Sequence, residues 1–298
     1  MQEFKDFGPW TAFALETIND SVEMINRLGG RGVEVVSVAR EGEYRYWDPE
    51  TLKVDREAED LFLERLKKYG INAVVLSEEA GTLELTSQTP APGLEEKVYF
   101  ISDPFDGSLL YKRQIPAFWF TTLAIYALDG NPKCAAVGDC AARSVDFCNQ
   151  EKAYTARLVE ARLEDVKELK PRDTDNLQDA FLETYLMKPH YMYPAVKDFE
   201  DLFSKVKFIL PNGGPSGFSD VASGRVDVYF ANKQPFVDVF TGLAIAQKAG
   251  CTISTFEGEE VPFNVDINSR YNVVCSANEK LHQEVLATLP IQARSGKK

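Results

Sequence analysis

Apolar side chains at Leu15, Ile18, Val22, Ile25 and Leu28 recur every three or four residues until Gly29-Gly30 ends the pattern, which predicts an opening amphipathic helix. Val33 to Val38, followed by Tyr44 to Trp47 across Glu41-Gly42, predicts a hairpin. A second helix is expected over roughly Thr51 to Tyr69, capped by Gly70 and carrying Asp55. Two short apolar runs then end abruptly in acids: Ala73-Val74-Val75-Leu76 before Glu78-Glu79, and Val98-Tyr99-Phe100-Ile101 before Asp103. Buried strands that deliver carboxylates at their C-terminal ends put a site on a rigid support. Thr82 to Lys97, with Gln88, Pro90, Pro92 and Gly93, reads as an exposed loop.

Phe118 to Leu128 is rich in β-branched and aromatic residues, as in a central strand, and shorter strands are expected at Cys134 to Val137 and Val145 to Cys148. The charged stretch Leu158 to Asp175 shows no apolar period beyond a short helix and predicts a boundary, giving an α+β half over residues 1–160 and an α/β half over 161–298. The second half alternates strand and helix: Phe181 to Thr184, Val196 to Phe203, Val206 to Leu210, Phe218 to Ser223, Val226 to Phe230, Val237 to Ala249, Cys251 to Phe256, Val273 to Ser276 and Leu281 to Leu289.

Composition narrows the function. At 298 residues with 44% apolar and 27% charged side chains, the chain reads as an ordinary globular protein with a large core. The first residues lack a basic region followed by an apolar run, and no segment approaches the roughly 18 apolar residues of a membrane span, so a cytoplasmic location is expected. Cys134, Cys140, Cys148, Cys251 and Cys275 are odd in number and contain no CxxC pair, which predicts reduced thiols. His190 and His282 lie far in sequence from the acidic motifs, leaving little material for a zinc site or a serine triad. A formal net charge of −13 opposes binding to nucleic acid or an anionic membrane. Bound divalent cations would reverse that sign locally and attract a phosphate group.

The strongest chemical signal is Asp103-Pro104-Phe105-Asp106-Gly107-Ser108. Proline bends the chain so that carboxylates three positions apart can face one cavity, and Gly107 and Ser108 can offer free N–H groups where the next segment begins. Carboxylates and a backbone carbonyl suit magnesium. Read alone, the same string is an Asp-rich turn with a helix cap. Glu78-Glu79 alone is a solvated strand end, Asp238 alone is an acid favouring the dipole of the apolar helix that follows it, and Asp55 alone is a surface side chain.

Together, the acidic pair after one strand, DPxDGS after the next, and Asp238 before a small-residue helix ending in Ala249-Gly250 resemble the inositol monophosphatase superfamily. Glu151 to Ala156 and Asp220 to Tyr229 extend the resemblance through most of the chain. It implies a layered αβαβα sandwich, a homodimer, and a small-molecule phosphate monoester as substrate. It also implies two or three Mg2+ ions: Glu78, Asp103 and the Phe105 carbonyl would hold one, Asp103, Asp106 and Asp238 a second, and Glu78 would help position a third. Ser108 paired with Asp55 would orient or deprotonate the attacking water, the Gly107 and Ser108 amides would bind phosphate, and Gly213 and Gly214 would face the substrate. Lithium would compete with magnesium.

Val237 replaces the family's usual tryptophan, Ala231 the acid that reads inositol hydroxyls, and Leu109-Leu110 its asparagine; Arg40 and Arg45 are candidates for its lysine. Lys112 and Arg113 could meet a second phosphate, although surface solvation suits each better. The substrate expected is inositol monophosphate or fructose 1,6-bisphosphate, with adenosine 3',5'-bisphosphate as the alternative. A non-catalytic binding protein is the reading from another class.

Overall fold

A computed structural model describes residues 1–41 and 49–290. The chain divides into two units, the first spanning Met1–Lys167 and the second starting at Glu168. The opening helix, α1 (Pro9–Leu28), begins at a proline and stops at Gly29, and Phe13, Leu15, Ile18, Val22 and Ile25 are all buried. Each such burial contributes about 1.5–3 kcal/mol. β1 (Val35–Val38) pairs antiparallel with β2 (Glu50–Leu52); the strand expected at Tyr44 to Trp47 lies outside the described residues, as does Arg45.

Next come α2 (Lys53–Lys68), β3 (Ala73–Ser77), β4 (Gly81–Leu85), β5 (Val98–Asp106), α3 (Ser108–Lys112), β6 (Phe120–Ala127), β7 (Pro132–Asp139), β8 (Ser144–Cys148), β9 (Ala153–Val159) and β10 (Arg162–Glu168). Among the described residues, eight of these strands form one sheet in the order β10-β9-β8-β7-β6-β5-β3-β4, in which β3 and β5 run parallel while β3–β4 and each pair from β5–β6 to β8–β9 run antiparallel. Alternation assigns the faces. Phe100, Leu123, Ile125 and Ala136 join the apolar cluster built by α1 and α2, and Thr121 meets Ser21 of α1 through a 2.8 Å hydroxyl contact. Gly138 lets α1 lie close on β7, since a Cβ there would stand 2.6 Å from Ile18.

Two expectations for this unit need correction. Thr82 to Leu85 is not loop: it belongs to β4, where Leu83 and Leu85 pack on the core and Thr82 and Glu84 face solvent. The alternation there is too short to announce itself. The charged stretch after Leu158 forms no helix, because Glu160 and Ala161, with φ of 49° and 57°, turn the chain into β10. Leu163 is buried and the remaining charges mark an exposed sheet edge.

The second unit contains β11 (Phe181–Glu183), α4 (Pro189–Asp198), α5 (Glu200–Phe203), β12 (Phe208–Leu210), α6 (Pro215–Ala222), β13 (Val228–Pro235), α7 (Phe236–Ala249), β14 (Thr252–Thr255), β15 (Arg270–Ser276) and α8 (Glu279–Thr288). The strands form a mixed sheet in the order β12-β11-β13-β15-β14. Val228 and Phe230 of β13 face a cluster with Phe199, Leu202, Leu281 and Val285 from α4, α5 and α8. Tyr229, one residue out of phase, packs its ring edge-on at 4.9 Å against Phe218 of α6. Helices therefore cover both faces of this sheet. His282 is buried and its ring contacts Ser254 at 2.8 Å and Ser276 at 3.2 Å, while His190 is exposed. All five cysteines are free thiols. Among the described residues no helix is long and apolar enough to cross a membrane.

Candidate active site

The strand register places the acids. Ser77 of β3 pairs with Ser102 of β5 in parallel, and the Glu78 N–H donates to the Ser102 carbonyl at 3.1 Å, so the next residues, Glu78 and Asp103, stand side by side. Adjacent strands lie about 4.8 Å apart. Asp103 pairs with Thr122 on β6, but Asp106 pairs with Phe120, so β5 carries one extra residue where β6 advances by two. That is a bulge. Residues three apart in a regular strand point to opposite faces; the extra residue returns Asp106 to the face of Asp103. Pro104, which has no N–H to lose, is suited to the bulge. The Phe105 ring is 3% exposed and packs edge-on at 5.1 Å on Tyr111, anchoring the backbone between Asp103 and Asp106.

Phe100 and Phe105 belong to the α1–α2 core, and Ser77 bonds to α2. Glu78, Asp103 and Asp106, being out of phase with them, lie on the opposite face at the ends of β3 and β5. Asp103 is 2% exposed, while Glu78 and Asp106 are half-buried. The Thr122 hydroxyl donates to the Asp103 backbone carbonyl at 3.1 Å and fixes the strand there. Glu79 is held separately by the Thr51 hydroxyl at 3.0 Å.

The chain then turns at Gly107, whose φ of 106° and ψ of 18° cap the short helix α3. The first N–H groups of any helix lack intrahelical acceptors. Ser108, the first residue of α3, donates its hydroxyl to Asp55 Oδ1 at 2.7 Å, and Asp55 Oδ2 accepts the Leu52 N–H at 2.6 Å. Asp55 is thus an N-terminal cap of α2 and the partner of Ser108 at once. Lys112 pairs with Glu50 of β2, and Arg113 is exposed.

One buried acid had no place in the sequence reading. Glu59, one turn beyond Asp55, is 2% exposed and its Oε2 accepts the Ser77 hydroxyl, while Oε1 has no hydrogen-bond partner among the described residues. Its signal was spacing: Asp55, Glu59, Phe62 and Leu66 are separated by four, three and four positions and all are buried, so both acids lie on the apolar stripe of α2. Burial raises the Glu59 pKa from 4.5 to about 7, against the opposing pull of the Ser77 bond. Below about pH 4.5 folded and unfolded chains both hold this proton; above it the unfolded chain loses it first, so stability falls as pH rises towards 7. The full shift is worth on the order of 3 kcal/mol. Glu59→Gln should remove that loss, so that urea unfolding in EDTA shows the variant gaining on the parent steadily between pH 4.5 and 7. Parallel stability profiles would show that the carboxyl does not titrate abnormally.

In the second unit, Asp238 is the third residue of α7, half-buried in its first turn where the helix dipole favours an anion. Gly213 and Gly214 lie in a buried loop before α6. The Gly214 N–H donates to the Tyr229 hydroxyl at 2.8 Å, so this amide already has a partner within the protein. Asn212 donates to Glu183 at 2.8 Å and Ser216 at 3.1 Å, fixing the start of the loop. Burial pushes the Glu183 carboxyl well above the usual range, and the neighbouring Asp220 adds to the rise. Val237 and Ala231 are both buried.

The acids and carbonyl on β5, with Glu78, form an all-oxygen donor set suited to a hard cation. Among the described residues no three His, Cys, Asp or Glu side chains are gathered tightly enough to close on an ion as they stand. The backbone sets their common face.

A layered α/β fold with oxygen donors beside a serine–carboxylate pair fits a metal-assisted hydrolase. The model of the "Inositol monophosphatase family" matches residues 16–293. The chain is 25% identical over 284 residues to the "Fructose-1,6-bisphosphatase" of Pyrococcus furiosus, covering 94% of this chain and 98% of that protein. It is 23% identical over 291 residues to the "Bifunctional NADP phosphatase/NAD kinase" of Methanococcus maripaludis, covering 92% of this chain and 48% of that protein. The solved IMPase of Thermotoga maritima superposes with a TM-score of 0.69 at 18% identity, covering 93% of this chain and 94% of that one. The chain belongs to the inositol monophosphatase family and is a phosphoric monoester hydrolase of the inositol monophosphatase and fructose-bisphosphatase type.

Proposed function

We propose that this enzyme is a magnesium-dependent phosphatase of small sugar or polyol phosphates, with Glu78, Asp103, Asp106 and the Phe105 carbonyl as cation ligands and Asp238 as a further one. The observation that carries the reading is the β5 bulge, which returns Asp106 to the face shared by Asp103 and Glu78. Magnesium, when bound, supplies Lewis-acid polarisation of the phosphate and lowers the pKa of a coordinated water. The chain's own groups supply the rest. Ser108 has given its proton to the bond with Asp55, so its oxygen lone pairs can accept from a water and orient it, with Asp55 as the sink for a proton relayed through the hydroxyl. The N–H groups at Gly107 and Ser108 are the donors proposed for phosphate oxygens.

Ala231 offers no carboxylate to read sugar hydroxyls, which supports a substrate other than a strictly inositol one. The NADP phosphatase relative supports a second reading, a nucleotide phosphate as substrate. A homodimer in the cytoplasm remains part of the proposal.

Phosphate release from inositol 1-phosphate, fructose 1,6-bisphosphate, NADP and adenosine 3',5'-bisphosphate, measured with magnesium, with EDTA and with added lithium, tests these readings. Magnesium-dependent, lithium-inhibited turnover should favour the sugar and polyol esters by about tenfold or more in kcat/KM, or about 1.4 kcal/mol. Turnover of the nucleotides alone would select the second reading. No release from any ester would leave the non-catalytic one.

A further inference from the structure

Glu59 is a buried acid that the proposed chemistry leaves unused, and its contacts bracket the residues that the chemistry does use. Its Oε2 accepts the hydroxyl of Ser77, the last residue of β3, and the N–H of Ala80 also acts on this carboxylate, favouring its charged form. Ser77 and Ala80 are the residues immediately before and after Glu78-Glu79. Ser77 points to the α2 side of the sheet, so its neighbour Glu78 must point to the other side, next to Asp103. Whatever holds Ser77 therefore sets where Glu78 aims. Glu79 on the same turn is tied to Thr51 instead. A solvated glutamate would give no such leverage; this one is 2% exposed on a helix locked into the core by Val54, Ala58, Phe62 and Leu66.

We propose that Glu59 is a positioning residue that braces the strand end and the acidic turn from behind, and so presents Glu78 to a divalent cation beside Asp103. The inference rests on the reading of Glu78 and Asp103 as cation ligands. Groups that orient metal ligands from behind typically change affinity by about 10–100-fold when removed.

The test measures Mn2+ binding to the purified chain, without substrate, by the loss of the free-ion electron paramagnetic resonance signal. Glu59→Leu keeps an approximate side-chain volume and deletes both acceptors; it should weaken the tightest Mn2+ site by about 10–100-fold. Glu59→Gln keeps an acceptor oxygen and should stay within about threefold of the parent, a rescue that simple filling of space would not predict. Ser77→Ala removes the hydroxyl contact alone and should give an intermediate loss of about three- to tenfold. Leu66→Ala destabilises the same helix without touching the turn and should leave the Mn2+ affinity unchanged. If Glu59→Leu does not fold, Ser77→Ala against Leu66→Ala decides the matter. Parent-like affinity in folded Glu59→Leu or Ser77→Ala would overturn the positioning role while leaving the cation site intact. Failure of the parent itself to bind Mn2+ would overturn the cation-site reading, and this inference with it.

Discussion

Asp103→Asn should leave a folded protein that has lost roughly a thousandfold or more of its phosphate-releasing activity. The side chain stands beside Glu78 of the neighbouring strand and on the same face as Asp106 further along its own, and the resemblance makes it the ligand shared by two ions. An amide oxygen carries no net charge, and stabilisation of transition-state charge by a bound cation is worth several kcal/mol, each 1.36 kcal/mol being a factor of ten. The fold has no reason to suffer. Asn matches Asp in shape, the Thr122 bond goes to the backbone carbonyl rather than the carboxylate, and removing a charge from a group that is 2% exposed lowers its desolvation cost. Melting temperature in EDTA should match or exceed that of the parent while kcat collapses. Activity within tenfold of the parent would remove Asp103 from the reaction.

Gly107→Ala should be the most damaging small substitution in the first unit, with a cost of about 4 kcal/mol. Two independent penalties combine. A φ of 106° is a left-handed backbone that side chains rarely adopt, and an added Cβ would stand 2.1 Å from the Phe118 carbonyl oxygen. That neighbour is backbone and cannot swing aside as a side chain would. Relief requires the Asp106–Ser108 turn to move, and displacement by about 1 Å at a catalytic turn can cost a hundredfold in rate. Gly250→Ala provides the comparison, because it has a φ of 87° with nothing within 4 Å of the added atom. It should cost only about 1 kcal/mol. Equal urea midpoints for the two variants would mean that the Phe118 loop yields and that the clash carries no weight.

Much of the molecule was legible from side-chain pattern alone. The 3.6-residue period of α1, the paired apolar runs of β3 and β5, and the alternating order of the second half all correspond to elements of the expected kind. The misses share a cause. β4 and β10 are edge strands, where one face meets water: the apolar alternation shrinks to Leu83 with Leu85 in β4, and in β10 the two apolar residues, Leu163 and Val166, stand three apart and off the strand period. At the acidic strand ends, the sequence displayed the proline that bends the chain, but not the register. Only pairing with β6 shows that one additional residue on β5 brings Asp106 round to join Asp103. Glu59 was hidden by composition: α2 is so rich in charge that two acids on its inward stripe looked like the rest. The loop at Gly213 and Gly214 was located, but the engagement of the Gly214 amide by Tyr229 depends on a residue fifteen positions away.

The inward acids of α2 also bear on attempts to make this enzyme hardier. Leucine at Glu59 would extend the helix's greasy seam and relieve a desolvated carboxyl, so a search guided by thermal tolerance alone would be drawn to that position early, whereas Asp55 is held in place by the Leu52 N–H it caps. The same exchange would release the hydroxyl of Ser77 at the strand end beside Glu78. If the proposed bracing role holds, robustness and cation binding compete for one place on this helix.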